Sequence, residues 1–182
     1  MRPGGIIGNQ GPAGTGGGNG PYVHGSKTTT QMLAIAGPAT GDTCYNTDWE
    51  KPAWYDGQVW LCDGAVRMTN KAGAALSIKD TVVLNTFNDR AVETTTSTAD
   101  DDVQGIIIIG GDADAEVVVA VSGIWPTVAG GSIFKGDWIR TTTTAGRVSG
   151  SGSTIVGSFG KALNSASAGQ DVLVAFSVVE GA

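Results

Sequence analysis

The sequence predicts an all-β protein with a glycine-rich extended N-terminal arm, a small β-meander module and a main domain that is a β-barrel or a β-sandwich. Three observations predict this class. Charged residues make up only 15% of the 182 residues, and 29 residues are glycine. Apolar, β-branched runs of strand length alternate with Gly, Asp and Ser turns. Short strands with this turn punctuation are typical of barrels and sandwiches.

Residues 1–30 form the predicted arm, because glycine recurs at every third position from Gly5 to Gly20. A Gly-x-y period allows three extended chains to pack around one axis, so it favours a trimer. Only Pro12 and Pro21 support the polyproline geometry. A flexible or extended glycine-rich arm is therefore the preferred interpretation, and a triple helix is the alternative. In both cases the segment cannot fill a globular core, and it is suited to lie along a partner.

Residues 31–70 are predicted to form a small aromatic-rich β-meander. Two Asp-Gly pairs, at 56–57 and 63–64, carry the signal of a type I′ hairpin turn. The predicted strands lie within residues 41–48, 51–55, 58–62 and 65–69. The module also holds Trp49, Trp54, Tyr55 and Trp60. We interpret these rings as a small core, which a neighbouring subunit could share, and stacking on sugar rings is the alternative.

Residues 71–182 form the predicted main domain. Residues 115–123 are rich in valine, as a buried strand requires. Residues 72–78 are the one segment with the pattern of a helical turn. The predicted strands are 81–85, 90–95, 105–109, 115–125, 137–142, 146–149, 155–163 and 171–179.

Charge and hydropathy exclude several classes of partner. The net charge is −6 and no Lys/Arg cluster occurs, so nucleic-acid binding has no electrostatic support. The longest apolar runs, such as 117–121, are strand-length and too short to span a membrane. The N-terminus lacks the apolar stretch of a signal peptide, so we expect synthesis and folding in a cytoplasm. Cys44 and Cys62 are therefore expected to be reduced thiols. They flank a small β region, so they could lie on neighbouring strands.

The sequence carries no credible active site. The single histidine, His24, lies in the predicted arm, where no scaffold would orient it. Ser-His-Asp and Cys-His catalysis need a positioned base, so we expect neither. Phosphate-loop, dinucleotide-binding and HExxH zinc patterns do not occur. We therefore predict that the protein is not an enzyme and needs no cofactor.

Two groups of acidic residues have both a functional and a simpler interpretation. Asp100–Asp102, and the alternating Asp112, Asp114 and Glu116, could bind calcium. Solvated turns that discourage edge pairing are the preferred interpretation, so we predict no metal site. In a separate pattern, Asp137 and Asp171 could act as the carboxylate pair of a glycosidase. Each follows a Gly or Gly-Gln turn at the start of a predicted strand, where turn chemistry explains it better.

The order of several motifs resembles the small capsid decoration, or cement, proteins of tailed bacteriophages over residues 79–179. The motifs are Lys79-Asp-Thr-Val-Val-Leu, Val103-Gln-Gly-Ile-Ile, Val117-Val-Val-Ala-Val-Ser-Gly-Ile-Trp, Lys135-Gly-Asp-Trp-Ile, Gly146-Arg-Val, Val156-Gly-Ser-Phe-Gly-Lys-Ala-Leu and Asp171-Val-Leu-Val. Residues 40–60 are similar to a small module of phage fibre and head-fibre proteins. Collagen-like glycine triplets also occur in phage fibres.

This resemblance implies a virion structural protein that binds the major capsid protein at the outer surface of the shell and stabilises the shell. It also implies a homotrimer, made in the host cytoplasm. The arm residues expected to contact the capsid are Ile6, Ile7, Pro12 and Tyr22. The alternative is a head-fibre module that binds host-surface glycan. The residues expected to stack on that glycan are Trp49, Trp54, Tyr55 and Trp60.

Overall fold

The computed structural model describes residues 21–153 and 156–176. These residues form a four-stranded sheet followed by two closed five-stranded β-barrels. The prediction of an all-β protein is confirmed. Where the sequence predicted one barrel or sandwich from residue 71 onward, the structure has two barrels, and the first of them begins at Ala65. Among the described residues, no helix has the length and the apolar composition that are needed to cross a membrane.

The N-terminal sheet has the strand order β1-β2-β3-β4, with β1 parallel to β2 and the other neighbours antiparallel. A short helix, α1, connects β1 to β2. The elements are β1 Val23–Lys27, α1 Thr29–Leu33, β2 Thr43–Asn46, β3 Lys51–Tyr55 and β4 Trp60–Cys62. Strand β1 and helix α1 thus lie in the region where the sequence predicted the end of the arm.

Helix α1 begins at a capping box that the sequence analysis did not use. The Thr28 hydroxyl accepts a hydrogen bond from the Gln31 backbone N–H at 3.2 Å. In return, the Gln31 side chain accepts one from the Thr28 backbone N–H at 3.0 Å. The Thr-x-x-Gln pattern is a local start signal for a helix. The predicted helical turn at 72–78 does not form, since these residues make bends and a single bridge of Leu76 to Gly111.

The predicted meander is correct for its first three strands and wrong for its turns and fourth strand. Tyr55 pairs with Trp60, so residues 56–59 form a four-residue connection. Gly57 has a positive φ of 103° and Asp56 does not, which excludes a type I′ turn. The Asp56 carboxylate instead accepts the backbone N–H groups of residues 58 and 59. The fourth predicted strand, 65–69, leaves the sheet and enters the first barrel.

The first barrel closes in the strand order β5-β7-β6-β8-β9. Its first strand pairs in parallel with β7 and antiparallel with β9, so the first and last strands meet. The strands are β5 Ala65–Asn70, β6 Thr81–Leu84, β7 Ala91–Glu93, β8 Val103–Ile109 and β9 Glu116–Ala120.

The second barrel repeats this topology in the order β10-β12-β11-β13-β14. Its first strand again pairs in parallel with the third and antiparallel with the last. The strands are β10 Ile124–Ala129, β11 Trp138–Thr141, β12 Arg147–Ser151, β13 Ser158–Ala162 and β14 Asp171–Phe176. The predicted single strand 115–125 is therefore divided between the end of one barrel and the start of the other.

The two barrels are a structural repeat, and a matching turn in each shows the correspondence. Asp80 accepts a hydrogen bond from the backbone N–H three residues earlier at 2.8 Å, and so does Asp137. The residue before each aspartate has a positive φ, 77° at Lys79 and 91° at Gly136. In the sequence both turns fall within one predicted domain, 71–182, and the repeat is not evident there.

The three units share buried contacts. One apolar cluster joins residues of the sheet, residues of the first barrel and Trp125 of the second. The barrels are also joined by polar groups, since the buried Thr127 hydroxyl contacts both the Thr81 hydroxyl and the Lys79 carbonyl at 2.9 Å. The Lys79 ammonium additionally pairs with Asp171 at 2.5 Å. These contacts hold the sheet and the barrels as one body.

Candidate interaction surface

The N-terminal sheet has two chemically different faces. On its inner face, Cys44, Ala53 and Cys62 lie side by side on three strands, and all three are buried. On the opposite, outer face, Thr43, Trp54 and Leu61 lie side by side and are half-buried. Side chains alternate between faces along a strand, so this register assigns the remaining residues of each strand.

The four aromatic residues singled out in the sequence divide between these faces. Trp49 and Trp60 are buried in the apolar core. Tyr55 packs against the same core, with its ring centroid 5.6 Å from that of Trp60. The interpretation as a core therefore describes three of the four rings. Trp54 lies on the outer face.

The outer face carries one aromatic residue that the sequence analysis did not select. Tyr45 is 44% exposed and is paired with Pro52, which is also exposed. Val23 on the edge strand is 70% exposed and pairs with Thr43 in the row that contains Trp54. Cys44 and Asn46, on either side of Tyr45 in β2, are both buried, so Tyr45 lies on the outer face. The outer face is therefore partly exposed, with Val23, Tyr45 and Pro52 exposed and Trp54 half-buried.

The two cysteines do not lie on neighbouring strands, contrary to expectation. Cys44 on β2 and Cys62 on β4 are separated by β3, which puts them about 9–10 Å apart from the strand spacing. A disulfide needs Cα atoms within about 7 Å, so both remain free thiols. Burial raises the pKa of the Cys62 thiol to about 11. Both side chains act as small apolar residues of the inner face.

His24 is held by a scaffold, which corrects the expectation from the sequence. It lies on β1, and its Nε2 is 3.0 Å from the Asp42 carboxylate. Asp42 also accepts the backbone N–H groups of Tyr22 at 2.7 Å and Ala39 at 3.0 Å. The His24 hydrogen bond, followed by these two, lowers the pKa of Asp42. This buried carboxylate therefore anchors the edge strand and the end of the chain segment that precedes it.

The predicted arm contacts lie mostly beyond the described residues. Ile6, Ile7 and Pro12 are outside them. Tyr22 is described, with its side chain 64% exposed and its ring in edge contact with His24. Tyr22 thus marks the place where the N-terminal segment meets the sheet.

A groove with a cavity volume of about 480 Å³ lies where the sheet meets both barrels. Its aromatic walls, Trp49 and Trp125, are buried and meet edge to face at 6.4 Å. Its polar groups already have partners, since Asp48 accepts the Thr29 backbone N–H at 2.7 Å and Lys79 pairs with a carboxylate. The groove therefore offers little unsatisfied chemistry to a ligand.

The carboxylates considered as calcium ligands serve mainly local contacts. Asp100, Asp101 and Asp102 bring their oxygens within 4.8 Å of one another. Asp100 accepts the Thr95 hydroxyl and the Asp102 backbone N–H, as a turn residue does. In the second group, Asp114 pairs with a lysine at 2.5 Å.

The other carboxylates considered in the sequence also have structural partners. Glu116 pairs with Arg67 at 3.3 Å. Asp137 caps a turn, and Asp171 pairs with Lys79 across the barrel interface. Turn and ion-pair chemistry therefore explains the two residues considered as a glycosidase pair.

Comparisons with known proteins identify a fold. No protein family and no curated protein matches the sequence. Among solved structures, the chain is similar to the head fibre gp8.5 N base of bacteriophage phi29, with a TM-score of 0.51 and 19% sequence identity. The match covers 62% of this chain and 94% of that chain. At this identity the similarity establishes the fold alone.

Proposed function

We propose that this chain is a structural protein of a bacteriophage virion that binds the outer surface of the capsid as a decoration protein. The observation that carries the proposal is the similarity of fold to a phage head-fibre base, over 94% of that structure. The motifs in residues 79–179 that resemble phage decoration proteins support the same class from different evidence.

The architecture suits a protein that reinforces a shell. Two barrels joined by buried hydroxyl groups and an ion pair form a stiff body that can bridge neighbouring capsid subunits. The glycine-rich segment 1–20 precedes strand β1 and is the part of the chain that we propose to lie along the capsid surface. Since a shell repeats the same surface many times, modest contacts add up to a high avidity.

The partner in this proposal is the major capsid protein, which the chain binds as a homotrimer after synthesis in the host cytoplasm. The N-terminal contacts would come from Ile6, Ile7, Pro12 and Tyr22, with the two isoleucines supplying most of the apolar surface. The pocket that receives them would lie on the capsid.

Co-sedimentation with capsids of the phage that encodes the chain tests this proposal. The full chain should bind to a saturating number of copies per capsid. An Ile6→Asp/Ile7→Asp variant should bind more weakly, because it replaces two apolar contacts with two charges. The matched control Asn9→Asp/Gln10→Glu adds the same two charges nearby and should bind as the unmodified chain does. Failure of the full chain to bind would overturn the proposal.

A capsid melting experiment distinguishes decoration from an attached fibre. Decoration predicts that saturation with the chain raises the temperature at which the capsid loses integrity, because the ligand binds only the intact shell. An unchanged temperature at full occupancy would reject the stabilising role and leave a fibre.

The solution mass of the chain tests the homotrimer and locates its contacts. In analytical ultracentrifugation, a trimer should be seen for the full chain. A Gly11→Ala/Gly14→Ala variant would break a collagen-like triple helix, whereas Asn9→Ala/Gln10→Ala keeps the glycine register. A trimer in all three chains would place the contacts outside the glycine repeat, and loss in the glycine variant alone would place them within it. A monomeric full chain would reject the homotrimer.

A further inference from the structure

We propose that the outer face of the N-terminal sheet binds an uncharged glycan whose sugars are joined by β-1,4 linkages. This inference does not depend on capsid binding. By strand register, the outer face consists of Val23, Ser26, Thr43, Tyr45, Pro52, Trp54 and Leu61.

The two rings of this face are placed for stacking. Thr43 pairs with Trp54, and Tyr45 lies two residues further along β2, so Tyr45 and Trp54 occupy diagonal positions whose backbones are about 7–8 Å apart. Tyr45 is 44% exposed, and Trp54 is half-buried. Both side chains stand on strands of a hydrogen-bonded sheet, which holds them in place before a ligand arrives. We refer to the seven side chains of the outer face together as the platform.

The chemistry of the platform favours an uncharged polyhydroxyl ligand. None of its seven side chains is charged at neutral pH. The face of an aromatic ring is electron-rich and attracts the C–H groups on the flat side of a sugar. Ser26 and Thr43 provide hydroxyl groups beside the rings, where sugar hydroxyls would need partners. The nearby Lys51 lies on the other side of the sheet, with its ammonium 5.2 Å from the centre of the Trp125 ring.

Other occupants fit this surface less well. Single-stranded nucleic acid also stacks on aromatic rings, but it requires basic residues for its phosphates, and the platform has none. The platform spans four strands, about 14 Å, and two residue rows, about 7 Å, which is on the order of a few hundred Å² with its side chains. A stable protein interface buries roughly 800 Å² per partner, so a smaller ligand matches the platform better.

The linkage follows from the shape of the surface. Equatorial β-1,4 linkages keep successive sugar rings in an extended ribbon, which can contact two aromatic rings that lie diagonally on one face of a sheet. An α-1,4-linked chain coils and presents one ring at a time to such a surface. The platform should therefore distinguish the two linkages.

Titration of the full ¹⁵N-labelled chain with N-acetylchitohexaose, cellohexaose and maltohexaose tests the proposal. At least one of the two β-linked sugars should give saturable NMR shifts of the Trp54 indole N–H and the Tyr45 amide. Maltohexaose should bind more weakly. Trp54→Ala and Tyr45→Ala should each weaken binding about tenfold or more. Trp54→Phe should restore part of the loss, because it keeps a ring.

The control variant Phe87→Ala removes a 91%-exposed aromatic ring from the first barrel and should bind sugar as the unmodified chain does. Far-ultraviolet circular dichroism identifies any variant that fails to fold, and the folded variants decide the test. The proposal is overturned if neither β-linked sugar gives saturable shifts at millimolar concentration, or if folded Trp54 and Tyr45 variants bind normally. A Tyr45→Ala chain with reduced oligomer mass would show instead that the face joins copies of the chain. Loss of sugar binding leaves capsid co-sedimentation unaffected, so the two proposals fail separately.

Discussion

Removing the hydroxyl group of Thr127 should weaken the joint between the two barrels. This hydroxyl has one hydrogen, which it donates to the Lys79 carbonyl at 2.9 Å. Its contact with the Thr81 hydroxyl, also 2.9 Å, must therefore be donated by Thr81. Thr127 is fully buried and Thr81 is 1% exposed, so water cannot replace a lost partner.

The structure allows the cost to be estimated. Thr127→Val removes the partner of the buried Thr81 hydroxyl and of the part-buried Lys79 carbonyl, which costs about 2–4 kcal/mol in the free energy of unfolding. The methyl group that replaces the hydroxyl returns about 0.8 kcal/mol, so the net loss is about 1–3 kcal/mol. Thr81→Val leaves the Thr127 hydroxyl bonded to the Lys79 carbonyl and should cost only about 1 kcal/mol.

The double variant makes the reasoning falsifiable. Thr81→Val/Thr127→Val has no orphaned hydroxyl, so its loss should be about 1–2 kcal/mol, less than the sum of the two single losses. Urea denaturation of the four chains gives these differences, and the exposed Thr143→Val serves as the control. Additive losses, or a Thr127→Val chain as stable as the control, would refute the assigned hydrogen bonds.

Three further predictions follow from the buried and strained positions. Because burial raises the pKa of Cys62 to about 11, a thiol reagent at pH 8 should leave Cys62 unlabelled in the folded chain and label it after denaturation. Equal labelling rates in the folded and denatured chains would contradict the burial of Cys62. Gly157→Ala should lower the free energy of unfolding by at least about 1–2 kcal/mol, since φ is 78° and the new Cβ would meet the Ala99 carbonyl. The control Gly152→Ala places its Cβ in open space. Equal melting temperatures of the two variants would contradict this packing. Hydrogen bonds from an imidazole and two backbone amides lower the pKa of Asp42, so the ionised carboxylate stabilises the fold above pH 3.8, and this stabilisation is lost as the pH falls through the lowered pKa. Asp42→Asn should reduce the dependence of the free energy of unfolding on pH in urea titrations under acid conditions. An unchanged dependence on pH would contradict the role of Asp42.

Patterns within single strands could be predicted from the sequence. The Val-rich run at 117–119 and the segment 51–55 before the Asp-Gly pair mark β-structure through local composition and turn signals, and strands occur at both places. The turn role of Asp137 also follows from its position before a strand. The start of α1 could also have been predicted from its Thr-x-x-Gln capping box, but this helix was not predicted.

The candidate surface was only partly predictable. A cluster of aromatic residues was evident in 49–60, but the assignment of each ring to a face needed the pairing of β2 with β3. A shift of register by one residue would have exchanged the two faces. The pairing of the strands alone therefore assigns Tyr45 and Trp54 to the outer face and the other rings to the core.

The duplication of the barrels shows why long-range pairing was not evident. Strand β5 follows β4 after two residues, yet it pairs with β9 and β7 in a different sheet. The valine-rich run that ends β9 continues after three residues into β10, which belongs to the second barrel. Nothing in the local composition marks the change of partner.

The sequence by itself determined that the chain is a β-protein, where most strands lie and which residue types form its turns, because these properties depend on neighbours along the chain. Only the tertiary structure decided that there are two barrels, that His24 is anchored by Asp42 and that one face of the sheet is aromatic and exposed. Closure of a barrel and the sharing of a core depend on contacts between residues far apart in the chain. Those contacts are selected by the free energy of the whole fold rather than by any local pattern.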